Sequence, residues 1–263
     1  MRLMISVISA AEAEEALRGG ADILDIKNPA EGSLGAQPPG LIREISSRFS
    51  GRAEISAAIG DMPNLPGTAA LAAFGAAACG AAYVKVGLRG TPSEADAVKL
   101  LREVREAVRG FPASVIAAAY ADYRRARTLN PECLPRVAAE ACVRGCLLDT
   151  AVKDGHTLFD FIYPRTLRLL AEQAHAAGLW FAMAGALRES DLPLARDLGA
   201  DVVGLRTAAC KDGRREGPLE AVRVQSLCRI LREAAVHQSV DRVHNGGEAE
   251  PTSIPKLKHR PAF

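Results

Sequence analysis

Two lysines stand inside runs that are otherwise apolar, Lys27 in ILDIKNP and Lys85 in YVKVGL. A strand lysine at a sheet rim ordinarily lays its stem along apolar surface and lifts its ammonium to water. A lysine held away from water beside a second cation has a lowered pKa instead, and it offers a neutral amine to a carbonyl. That is the chemistry of Schiff-base enzymes. Carboxylates accompany both lysines. Asp25 shares one strand face with Lys27 by period-two alternation, and Asp149 ends the run CLLD, with Lys153 and Asp154 just beyond it in TAVKDG. Such neighbours can carry protons to and from an imine intermediate. Lys27, Lys85 and Asp149 are therefore read as the reacting set, with Lys153 and Asp25 serving either in it or as structural ion-pair partners.

These residues need elements that bring distant segments together. Short β-branched or apolar runs alternate with longer helical patterns as far as about residue 235. The expected strands are 3–9, 23–28, 54–60, 83–88, 114–120, 146–151, 180–185 and 202–208. Between them lie amphipathic or Ala-rich segments such as AAEAEEALRGG, SEADAVKLLREVREAVRG and YPRTLRLLAEQAHAAG. Strict alternation implies parallel strands joined by helical crossovers. An internal echo supports this: Gly20, Gly80, Gly145 and Gly199 each stand between a helix end and a strand, roughly every 60 residues, as paired βα units would place them. Eight strands fit a single-domain (β/α)8 TIM barrel, an α/β fold, over residues 1–235. The alternative is an open doubly wound sheet, which would normally show a phosphate loop after its first strand, and SVISAAEAEEAL contains none. Residues 236–263 read as a polar tail without a core of its own, expected to be disordered.

In a barrel, ligands meet the C-terminal ends of the strands, and a phosphate is often cradled by the loops after the seventh and eighth. Gly185 and Ala186 in MAGALRESD, and Arg206 and Thr207 in GLRTAACKDGRREG, stand where such donors are needed. The plainer readings are a tight turn at Gly185 and a helix carboxylate paired with Arg206. Lys211, Arg214 and Arg215 read as a solvated charge run. NPAEGSLGAQPPG at 28–40 is either an ordinary loop or a substrate cover hinged at Gly32 and Gly35, and GDMPNLPGT at 60–68 has the same two readings. His156 reads as a loop residue.

Composition removes whole classes of function. Of 263 residues, 48% are hydrophobic and 24% charged, and Lys+Arg 33 against Asp+Glu 31 leaves a net charge of only +2. A balance this even argues against nucleic acid as a partner. No apolar stretch reaches the length of a membrane span, and MRLMISVISA reads as a first strand, so the expected location is the cytoplasm. The six cysteines show no metal-ligand spacing and are read as buried small hydrophobes. No metal or other cofactor is expected. Ala-rich TAALAAFGAAACG suits packing on its own sheet or against a second copy, so a homo-oligomer is compatible with the sequence.

The strings GGADILDIKNPAEGSLGA, AAIGDMPNLPGTAALAAFGAA, YVKVGL, AAAYADYRRA, LLDTAVKDGHTLFDF and MAGALRESDLP resemble the (5-formylfuran-3-yl)methyl phosphate synthase family of methanofuran biosynthesis over roughly residues 1–230. The resemblance implies a TIM barrel that condenses two molecules of glyceraldehyde 3-phosphate, a small phosphorylated triose, into a phosphorylated furan aldehyde with loss of phosphate and water. It implies that Lys27 is the Schiff-base lysine, Lys85 the proton acceptor, and Asp149 and Lys153 the catalytic aspartate and its following lysine. Two segments depart from the family pattern, AGA at 184–186 where AGS is usual and LRTAAC at 205–210 where VRGAVC is usual. Ala186 lacks a hydroxyl but keeps backbone donors, and Thr207 in place of glycine restricts its loop. A different Schiff-base aldolase of triose or deoxyribose phosphates, and a non-catalytic phosphosugar-binding barrel, are the competing readings.

Overall fold

Eight strands follow one another around a closed parallel barrel, β1 (Arg2–Val7), β2 (Ile23–Ile26), β3 (Glu54–Pro63), β4 (Tyr83–Gly90), β5 (Ser114–Tyr120), β6 (Gly145–Asp149), β7 (Trp180–Met183) and β8 (Val202–Leu205). Each pairs with its sequence neighbours, and β8 closes on β1 with Arg2 opposite Val202. This computed structural model describes residues 1–244. The principal helices are α1 (Ala10–Arg18), α2 (Pro39–Phe49), α3 (Pro66–Ala78), α4 (Glu94–Val108), α5 (Tyr123–Ala126), α6 (Leu134–Glu140), α7 (Pro164–Ala176), α8 (Leu192–Asp197) and α9 (Ala221–His244). The alternation expected from the sequence is therefore a single-domain TIM barrel.

Local chemistry sets the helix starts. Ser9 and Ser93 cap α1 and α4 by accepting from the amides of Glu12 and Asp96, and proline fills the first turn of α2, α3, α6, α7 and α8, where its missing N–H costs nothing. Small residues let helices lie close to the wall: Ala13, Ala69, Ala73, Ala138 and Ala174 are fully buried between helix and strand layers. α3 buries Ala69, Ala73, Ala76 and Ala77 and leaves Leu71 and Phe74 exposed.

Four expectations change. Gly20, Gly80 and Gly199 do take left-handed conformations, but Gly145 does not; it begins β6, where a Cβ would stand 2.8 Å from Trp180 O. Cys142 takes the left-handed position after α6. It is exposed, so not every cysteine is a buried hydrophobe; Cys79, Cys146, Cys210 and Cys228 are. β3 runs past its expected end to Pro63, its pairing with β4 slipping between Ala58 and Asp61, and this carries Asp61 to the top of the barrel. α9 reaches His244, into the segment read as a tail; residues 245–263 of that segment lie outside the described residues.

A separate apolar cluster fills the barrel interior, with Met4, Ala58, Tyr83, Ile116, Tyr120, Leu147 and Val202 among its members. Leu34 belongs to it too, fully buried although it comes from the loop after β2. That loop is clamped by Asn28 N donating to Gly35 O at 2.8 Å and by Gln37 Nε2 donating to Lys27 O at 3.1 Å. Any side chain at Gly35 would overlap Asn28 O. The segment 28–40 is thus a clamped, ordered loop whose leucine plugs the interior.

Candidate active site

Parallel register gathers the ionisable residues. Asp25 lies opposite Ser6 on β1 and Ser56 on β3, and Lys85 lies opposite Ala58, so Lys85 reaches across β3 to Asp25. The two charges are 2.5 Å apart, and both side chains are almost wholly buried. Their alignment is poor for a hydrogen bond: Asp25 Oδ1 and Lys85 Nζ have no hydrogen-bond partner among the described residues. Asp25 Oδ2 accepts from Ser6 Oγ at 3.1 Å.

Lys27 follows the last residue of β2, and its amide extends the ladder by donating to Val7 O at 3.3 Å. Its side chain is 7% exposed, and its ammonium stands 3.8 Å from Asp149 Oδ2. Burial, with Lys85 and Lys153 adding to it against the pull of Asp149 and Asp25, lowers the Lys27 pKa to about 8. Asp149 ends β6. Its Oδ1 accepts from Lys153 Nζ at 2.6 Å and from the Thr150 amide at 2.7 Å. Burial opposes its charge, but Lys153, Lys27 and the Thr150 N–H together hold its carboxyl well below the usual carboxylate range. Lys153 also donates to Thr150 Oγ1 at 3.0 Å. The turn that carries it is anchored by Asp122, which accepts from the amides of Ala151 and Val152 at 2.7 and 2.9 Å.

All five of these groups line one space of about 400 Å³ at the mouth, counting its opening to solvent, together with Gly185, Ala186, Arg206 and Thr207. Lys85 also lines a second, apolar space deeper in the barrel beside Tyr83 and Trp180, so it forms the floor of the mouth. Among the described residues no cluster of three or more His, Cys, Asp or Glu could hold a metal, and no helix is long and apolar enough to cross a membrane. His156 is exposed and bonded to Asp154 at 3.0 Å, outside this group.

The barrel is similar to the crystal structure of 3-hexulose-6-phosphate synthase, with a TM-score of 0.59 and 17% identity, covering 89% of this chain and 99% of that one. The phosphoribosyl anthranilate isomerase of Thermus thermophilus superposes with a TM-score of 0.57 at 21% identity, covering 89% of this chain and 99% of that one. These likenesses carry the fold alone. A model of the 4-HFC-P synthase family matches residues 3–228. The (5-formylfuran-3-yl)methyl phosphate synthase of Methanopyrus kandleri is 47% identical over 233 residues, 88% of this chain and 98% of that protein. The enzyme of the same name from Methanocaldococcus jannaschii is 44% identical over 235 residues, 88% of this chain and all of that protein. The chain belongs to the 4-HFC-P synthase family.

Within this family member, the expected phosphate end divides in two. Gly185 and Ala186 form a turn with φ of 99° and 52°. A Cβ on Gly185 would meet Thr150 Cγ2 at 3.0 Å and Thr150 N at 3.1 Å, so this position needs glycine for space as well as for backbone. Thr207 starts a short 3-10 turn, Thr207–Ala209, in an ordinary conformation, so the threonine that replaces the usual glycine meets no left-handed requirement. The Arg206 guanidinium is already occupied. It is bound by Glu12 of α1 through contacts of 2.8 and 3.2 Å, and it donates to Ser6 O and Arg215 O, each at 3.0 Å. The plainer reading, a helix carboxylate paired with Arg206, is the one the structure bears out.

Sequence reasoning passed over three groups. Arg215 lines the mouth, although its neighbours Lys211 and Arg214 are exposed. Tyr120 and Asp61 form a buried hydroxyl–carboxylate contact near the top of the barrel, with Arg89 3.5 Å from the same carboxylate. Burial and the adjoining Asp61 push the Tyr120 hydroxyl well above its ordinary pKa. Asp61 was hidden because GDMPNLPGT reads as a turn, and only the barrel brings Tyr120 of β5 back to it.

Proposed function

We propose that this chain condenses two molecules of glyceraldehyde 3-phosphate into (5-formylfuran-3-yl)methyl phosphate through an imine on Lys27, acting as a carbon-oxygen lyase in methanofuran biosynthesis. The observation that carries this reading is the state of Lys27: a buried amine with its pKa lowered to about 8, 3.8 Å from an ionised carboxylate. About a tenth of it is the free base at pH 7, against well under a thousandth for an ordinary lysine, and only the free base attacks a carbonyl. The amine adds to the triose carbonyl, water leaves, and the resulting imine draws electrons from the adjacent carbon. Lys85, having passed its own proton to Asp25 2.5 Å away, takes up the proton there as a neutral amine, and Asp149 with Lys153 exchanges protons with the departing hydroxyls. The enamine attacks the second aldehyde. Across the whole sequence two trioses lose one phosphate and two waters, which balances the furan product, and aromatisation pulls the reaction forward. The backbone turns at Gly185, Ala186 and Thr207, at the rim of the same space, suit a phosphate cradle.

Incubation with glyceraldehyde 3-phosphate and borohydride, followed by peptide mass spectrometry, is expected to show an adduct on Lys27 and an ultraviolet rise from a conjugated furan aldehyde without borohydride. Lys27→Arg keeps the charge but forms no imine, so turnover should fall by about 10³-fold or more. Product formation with no adduct on Lys27, or an active Lys27→Arg protein, would sink the mechanism. An adduct without the furan absorbance would assign the chain to a simple aldolase.

A further inference from the structure

We propose that Arg215 is the side-chain anchor for a phosphate monoester at the barrel mouth. This deepens the reading above, since it rests on the substrate being a phosphorylated triose.

Charge and commitment distinguish the two arginines. Arg206 is neutralised by Glu12 and has bonded three of its guanidinium nitrogens. The Arg215 guanidinium makes no hydrogen bond or ion pair among the described residues, yet it is half-buried and lines the mouth with Lys27, Asp149 and Lys153. Removing a cation from water without a partner is costly. Burial accordingly lowers its pKa, with Arg206 contributing and Asp149 opposing. Around this space Lys27, Lys85, Lys153 and Arg215 face only Asp25 and Asp149, which leaves an excess of positive charge that a phosphate dianion matches.

The loop is built to hold Arg215 still. Its carbonyl accepts from Arg206 Nε at 3.0 Å, Lys211 N donates to Pro218 O at 2.8 Å, and Gly217 N donates to Arg214 O at 2.9 Å. Cys210 bridges to Leu219 across the base. The chain Glu12, Arg206, Arg215 O thus fixes the backbone from which the free guanidinium extends. A planar fork of N–H donors fits a phosphate in a way a lysine does not. Because Arg215 and Lys27 line the same space, a phosphate held by Arg215 lies close to the amine, as a triose whose carbonyl and phosphate are two carbons apart requires.

The test is calorimetric titration of the full-length protein with inorganic phosphate, repeated for Arg215→Gln and Arg215→Lys. Arg215→Gln is expected to weaken phosphate binding by about 10- to 100-fold, the usual worth of a charge-assisted contact, with Arg215→Lys in between and thermal midpoints unchanged. In borohydride trapping on Lys27, the loss caused by Arg215→Gln should be at least about tenfold larger with glyceraldehyde 3-phosphate than with unphosphorylated glyceraldehyde. Equal phosphate binding by wild type and Arg215→Gln, no phosphate binding by the wild type, or equal losses with both aldehydes would each overturn the proposal. Absence of any Lys27 adduct in the wild type would remove the imine reading instead, and the phosphate titration would still decide the role of Arg215.

Discussion

Lys27 Nζ stands 3.8 Å from Asp149 Oδ2, while Asp149 gives its other oxygen to Lys153 at 2.6 Å. The carboxylate is thus shared unequally. Lys153 takes the close hydrogen-bonded contact, and Lys27 receives charge stabilisation too weak to offset its burial. The amine proposed to form the imine is the one held loosely.

The pH dependence of imine trapping follows from this sharing. The trapping rate in the wild type should rise with pH through about 8, as Lys27 releases its proton. Lys153→Met removes a cation that lowers the Lys27 pKa, so the midpoint should move up; Asp149→Asn removes the carboxylate that raises it, so the midpoint should move down. Midpoints that stay put, or move oppositely, would show that these neighbours do not tune the amine.

Stability should run against activity at this position. The folded pKa of Lys27 lies below its ordinary value of 10.5, so the folded state binds that proton less tightly than the unfolded chain does. The penalty is fully present below about pH 8 and gone above about pH 10.5. Lys27→Met should therefore stabilise the protein by about 1–3 kcal/mol at pH 7, and raise the thermal midpoint by several degrees. The gain should shrink as pH approaches 10.5. A lower midpoint for Lys27→Met in calorimetry at pH 7 would contradict this.

Glu12 is expected to matter for folding through Arg206. The Arg206 side chain is 2% exposed and the Glu12 side chain 11%, so Glu12→Ala leaves a buried guanidinium facing only carbonyl acceptors. Breaking such a pair costs about 3–5 kcal/mol. Urea unfolding should show the loss, and a change below about 1 kcal/mol would mean that the pair is screened like a surface one.

The turn after β7 gives a contrasting pair of substitutions. Ala186 sits at φ 52°, a conformation that costs a Cβ-bearing residue about 1 kcal/mol, so Ala186→Gly should be neutral or mildly stabilising. Gly185→Ala should destabilise by more than this, since its new methyl meets Thr150. Equal thermal midpoints for the two variants would argue against the turn as described.

Periodicity in the sequence was enough to determine the eight strands, their parallel order and the lysines worth attention, because alternation of short apolar runs with amphipathic helices has few closed solutions. Strand ends near Asp25, Lys27 and Asp149 were legible for the same reason: barrel chemistry sits where strands stop. Pairings between distant loops were not legible. Arg206 and Arg215 are both cations in one segment, and nothing local says which of them meets a carboxylate. Glu12, on the first helix, settles it by taking Arg206. Tyr120 and Asp61 likewise meet only because β3 runs three residues further than its pattern predicts and the barrel curves β5 back toward it. Local propensity sets elements, whereas the partners of a buried charge are set by closure of the whole barrel, when desolvation makes every unpaired group costly.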